Sequence, residues 1–69
     1  MSNIKISLAA ARVNAKLTQS EVAQRIHVSK NTIVYWENGK VEIPFTALNT
    51  LCGMYKIPMD NILLPTKST

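Results

Sequence analysis

With 69 residues the chain has room for one small domain, and 46% apolar residues are too many for a disordered segment. Eight Lys and Arg against four Asp and Glu give a net charge of +4, a balance that favours a polyanion as partner. Cys52 is the single cysteine, so an internal disulfide is excluded, and no apolar run approaches the length of a membrane span. With no basic-then-apolar leader in the sequence, the expectation is a cytoplasmic protein that needs no membrane.

Residues 1–6 read as a tail without a clear period, and residues 65–69 as a second tail, leaving 7–64 as the domain. Ser7 is placed to cap a first helix of about eight or nine residues, LAAARVNA, with Leu8, Ala11, Arg12 and Ala15 on one face. Thr18 and Glu21 stand three apart, as a capping box requires. The Thr18 oxygen takes the Glu21 amide while the Glu21 carboxylate reaches back to the Thr18 amide. That box opens a second helix, Gln19–Ile26, with Val22, Ala23 and Ile26 at helical spacing. After the turn His27-Val28, Ser29 caps a third helix over Lys30–Glu37, which carries Ile33 and Trp36 inward. Asn38-Gly39 is a turn signal and 40–44 a loop. Phe45, Leu48, Leu51, Cys52 and Tyr55 mark a fourth helix by their stripe. Pro58 and Asp60 introduce a short fifth helix around Met59–Leu63, ended by Pro65. Gly53, inside the fourth helix, costs about 1 kcal/mol relative to Ala and reads as room for a close helix approach or a subunit contact.

The stretch 17–39 decides more than any other. Two short helices joined by a tight turn leave Lys30, Asn31, Thr32 and Tyr35 as a polar, hydrogen-bonding face on the second of them. A donor-rich helix end held by a preceding helix suits insertion into a DNA major groove, so the pair reads as a helix-turn-helix. By itself that polar face would also serve as a solvated helix surface.

In sequence the chain resembles the Cro/repressor (XRE-like) family of five-helix DNA-binding domains. The resemblance rests on Ala11-Arg12, Leu17-Thr18-Gln19, Glu21-Val22-Ala23, Val28-Ser29, Ile33, Trp36-Glu37-Asn38-Gly39-Lys40, Pro44, and the run from Leu51 to Pro58. It covers residues 5–64. The implied fold is all-α, a compact five-helix repressor-like domain with the helix-turn-helix at helices 2 and 3.

The resemblance implies a structural ion pair between Arg12 and Glu37. The residues agree, because burying either charge alone would be costly and pairing relieves it. It also implies that Lys30, Asn31 and Tyr35 touch base edges, with Asn31 suited to a bidentate contact with adenine and Lys30 to guanine O6 or N7. Gln19, Ser29, Thr32, Asn38, the Gly39 amide and Lys40 are the implied backbone contacts. Three positions depart from the family pattern. Lys16, His27 and Lys56 stand where relatives often place Gly in left-handed geometry, at a cost of roughly 1 kcal/mol each.

His27 and Cys52 are each alone, too few to hold a metal, so no metal and no cofactor is expected. His27 reads as a partly exposed turn residue, and Cys52 and Trp36 as core. With no Gly-rich phosphate loop and no paired carboxylates, an enzyme is not expected. The implied function is a sequence-specific, double-stranded-DNA-binding transcriptional regulator, a repressor of the phage or prophage type. It would read an inverted-repeat operator as a homodimer through the fifth helix and its flanks, Ile57, Met59, Ile62, Leu63 and Leu64. The alternative is a protein-interaction module on the same scaffold, an antirepressor or antitoxin with a protein partner.

Overall fold

Three hydroxyl side chains start three helices. Ser7 Oγ accepts from the Ala10 amide at 3.0 Å, Thr18 Oγ1 from the Glu21 amide at 3.0 Å, and Ser29 Oγ from the Thr32 amide at 3.2 Å. Each satisfies an amide that the helix cannot bond internally. In the computed structural model, which describes residues 4–65, the chain runs α1 (Leu8–Asn14), α2 (Gln19–Ile26), α3 (Lys30–Asn38) and α4 (Phe45–Tyr55). A single 3-10 turn, Met59–Asn61, follows. The second arm of the Thr18 capping box is also made, with the Thr18 amide donating to Glu21 Oε1 at 2.8 Å. The Thr18 amide, and after it the Thr18 hydroxyl, hold the exposed Glu21 carboxyl below the usual carboxylate range.

The helices stop at left-handed residues. Lys16, His27 and Lys56 take φ of 64°, 61° and 58°, and Gly39 takes 80°. The three with side chains carry the strain that Gly would avoid, on the order of 1 kcal/mol each. The turns between them let each helix contribute to one core: Leu8 and Ala11, Val22 and Ala23, Ile33 and Trp36, then Leu48, Leu51, Cys52 and Tyr55. Ile43 from the α3–α4 loop and Ile62 close it.

Several expectations are corrected. The first helix ends at Asn14 rather than reaching Ala15, and the third runs one residue further, through Asn38. Phe45 does not belong to the α4 stripe and is 70% exposed. It is the first residue of α4, and helical side chains lean toward the N-terminus, so it projects past the end of the helix. Gly53 makes no close approach to any other described residue, for a Cβ built there meets nothing within 4 Å.

The largest correction is the fifth helix, of which only the 3-10 turn Met59–Asn61 forms. Ile62 is extended at φ −94°, ψ 128°, and pairs with Ile6 in an isolated parallel bridge. The Ile6 amide donates to the Asn61 carbonyl at 2.9 Å and the Leu63 amide to the Ile6 carbonyl at 2.8 Å. Asn61 Nδ2 donates to the Ile4 carbonyl at 3.0 Å. Residues 4–6, read as tail, are therefore part of the fold, while residues 1–3 of that tail lie outside the described residues. With Pro58 and Pro65 on either side, only six residues were free to turn helically; these bonds use their backbone instead. Among the described residues no helix is long and apolar enough to cross a membrane.

Candidate nucleic-acid interface

The inner side of the helix pair is fixed by one polar knot. Arg12 Nε donates to Glu37 Oε2 at 2.8 Å and Nη2 to Oε1 at 3.3 Å. Gln19 Nε2 donates to the same Oε1 at 3.0 Å, and Arg12 Nη1 to the Leu17 carbonyl at 2.9 Å. Four points of the chain are tied: α1, the turn after it, the start of α2 and the end of α3. The side chains of Arg12 and Glu37 are 13% and 9% exposed, so the pair is largely shielded from water. The hydrogen bond to Glu37 holds the Arg12 pKa above its ordinary value against the opposing effect of burial. Tyr55 of α4 lies in the fields of both charges. Burial pushes its phenol up to about 12, and its hydroxyl is buried with no hydrogen-bond partner among the described residues.

The outer side of α3 is different. Lys30 and Asn31 are exposed in the first turn, and no hydrogen bond or ion pair engages either side chain among the described residues. Nor does any engage their amides, so two side chains and two backbone donors stand together at the positive end of the helix. Ser29 Oγ and Thr32 Oγ1 lie 3.0 Å apart, each a hydroxyl with capacity left for a further bond. Tyr35, one turn on and half-buried, carries the Lys40 ammonium 4.8 Å from its ring centroid. Around this cluster, acceptors on DNA would meet Lys, Asn, Ser, Thr and Tyr donors.

The flanks need one correction. The Gly39 amide, expected to face a phosphate, donates to the Tyr35 carbonyl as the cap of α3, and the residue is buried. Gly39 acts through its left-handed φ, which turns the chain so that Lys40 returns over Tyr35. The Lys40 amide is likewise bonded, to the Tyr35 carbonyl at 3.0 Å and to Asn38 Oδ1 at 2.9 Å. What this flank offers is the Lys40 ammonium and the Asn38 amide nitrogen. Gln19 has one of its two amide hydrogens on Glu37 and the other remaining. The amides of Gln19 and Ser20 are unbonded at the start of α2, but the Glu21 carboxylate beside them offsets the positive helix end. A phosphate there would depend on hydrogen bonds rather than on net charge.

The sequence reading missed two contacts: the Gln19–Glu37 bond and the Tyr35–Lys40 stack. The second had a signal, since Gly after a helix folds residues i and i+5 together. The proposed dimer residues are also redistributed. Ile62 is 7% exposed and belongs to the core, and Ile57 and Met59 pack against it; Leu63 and Leu64 remain exposed at 59% and 42%. No group of three or more His, Cys, Asp or Glu able to hold a metal occurs among the described residues.

A family model described as helix-turn-helix matches residues 8–62, most of the chain. The chain belongs to that family. Its type is the Cro/repressor (XRE-like) helix-turn-helix, a family of DNA-binding regulators. Compared with curated proteins and with solved structures, the chain matches none. Within the helix-turn-helix, α2 is the first helix and α3 the second.

Proposed function

We propose that this helix-turn-helix protein is a sequence-specific repressor of the phage or prophage type that inserts α3 into the major groove. Lys30, Asn31 and Tyr35 read base edges, while Gln19, Ser29, Thr32, Asn38 and Lys40 hold phosphates. The observation that carries this reading is the pair Lys30 and Asn31, exposed and unengaged among the described residues at the start of a helix that Trp36 and Glu37 lock further along. A side chain that holds no partner in the free protein gives up no internal bond on meeting a base. Asn31 offers the donor and acceptor that match adenine N7 and N6. One short helix spans only a few base pairs, so specificity calls for a dimer on two half-sites about 34–36 Å apart. We place the dimer contact at the exposed Leu63 and Leu64, beyond the bridge that anchors that end.

Selection of bound sites from a random duplex library, at about 0.15 M salt, tests the reading. The expected result is an enriched inverted repeat with half-sites one helical turn apart. Binding without enrichment that vanishes as salt rises would overturn it and turn attention to a protein partner.

A further inference from the structure

We propose that Lys40 is a positioning residue for base reading, its ammonium fixing the Tyr35 ring while also binding a phosphate. The inference rests on the function proposed above, and it starts from the turn. Gly39, at φ 80°, reverses the chain after α3, and the Lys40 amide is held by the Tyr35 carbonyl at 3.0 Å and Asn38 Oδ1 at 2.9 Å. Two bonds thus fix the Lys40 backbone relative to the residue whose ring it covers. From there Nζ lies 4.8 Å from the ring centroid, within the range of attraction between a cation and the negative face of an aromatic ring.

Two consequences follow for binding. A phenol ring covered on one face keeps its other face and its hydroxyl for a thymine methyl or a base-edge acceptor, and it loses less rotational freedom on docking. The ammonium keeps its three N–H donors, since attraction to a ring face consumes none of them, so it can bond a phosphate without leaving the ring. Phosphate contact and base contact are thereby linked: a phosphate that holds Lys40 also holds Tyr35. A lysine that only neutralised phosphate would add affinity equally to every sequence.

The test compares the unmodified protein with Lys40→Gln, Lys40→Arg, Tyr35→Leu and the double variant Lys40→Gln/Tyr35→Leu. The probes are the duplex enriched by selection, its single-base variants and a scrambled duplex of equal length. Lys40→Gln is expected to lower the salt slope by about one and to lose roughly two- to five-fold of discrimination at the base pair that Tyr35→Leu also relaxes. Lys40→Arg, which keeps both the charge and the stacking, is expected to retain that discrimination. In the double variant the two losses of discrimination should be less than additive. A Lys40→Gln variant that weakens all duplexes equally, with site preference intact, overturns the proposal. In the free protein, the proton shifts of the Lys40 ε-methylene should move away from the ring-shielded position in Tyr35→Leu. If that shift is present but the unmodified protein prefers no duplex, the stack exists and the reading of function is what fails. If the shift is absent while preference is strong, the positioning role alone fails.

Discussion

The two faces of α3 are built in opposite ways. On the inner face, Ile33 and Trp36 are buried and Glu37 is held by Arg12 and Gln19, so each side chain has a fixed partner. Toward the outer face and the start of the helix, Lys30 and Asn31 are exposed with no side-chain bond among the described residues, and the half-buried Tyr35 carries the Lys40 ammonium over its ring. The nine-residue helix sets Asn31 and Tyr35 roughly half a turn about its axis from Ile33, while Lys30, its first residue, leans past the N-terminal end. A rigid inner face lets an unpaired outer face be presented in a constant place, which is what base reading demands.

The comparison breaks most readily at Glu37. Replacing it by Ala leaves the Arg12 guanidinium, 13% exposed, without its carboxylate, and is expected to cost on the order of 3 kcal/mol. A domain of this length has a total stability of only about 3–10 kcal/mol, so the urea midpoint should fall sharply. Replacing both partners together, Arg12→Met with Glu37→Leu, should recover most of the loss, because the unpaired charge and not the missing bond dominates it. A loss under about 1 kcal/mol for Glu37→Ala would place the pair with ordinary surface pairs and remove the rigid face from the account.

A smaller effect sharpens the same face at high pH. The Tyr55 phenol is pushed up to about 12 from an ordinary value of 10.0 by burial. Between those values the unfolded chain has lost the proton that the folded chain still holds, so stability falls as pH rises through the window. Tyr55→Phe should show a shallower decline there, measured as unfolding midpoint against pH. It should be no less stable at neutral pH, since the hydroxyl it removes is buried with no partner among the described residues. An unchanged alkaline decline would mean that Tyr55 is wetter than its burial indicates.

Much of this was legible in the residues because the signals are local. The caps at Ser7, Thr18 and Ser29 act within three residues, and the start of α2 and α3 follows from them. The positive φ at Lys16, His27 and Lys56 was legible too, where the family pattern has Gly. The end of the chain was not. Whether the chain coils on past Asn61 or extends depends on a bridge from Ile62 to Ile6, 56 positions away, and no local propensity encodes that pairing. The interface was half legible. The residue types at Lys30, Asn31 and Tyr35 stand out in the pattern, but the fate of the Gly39 amide and the second role of Gln19 depend on hydrogen bonds that only the folded backbone assigns.

The most direct measurement takes one variant, Asn31→Ala, and measures it twice. Unfolding in urea should place its stability within about 0.5 kcal/mol of the unmodified protein, because Asn31 is exposed and holds nothing. Binding to the selected duplex should weaken roughly 5- to 150-fold, the loss of one good base contact. That combination is what separate faces predict. Full affinity in a folded variant would contradict the account, and so would a large loss of stability.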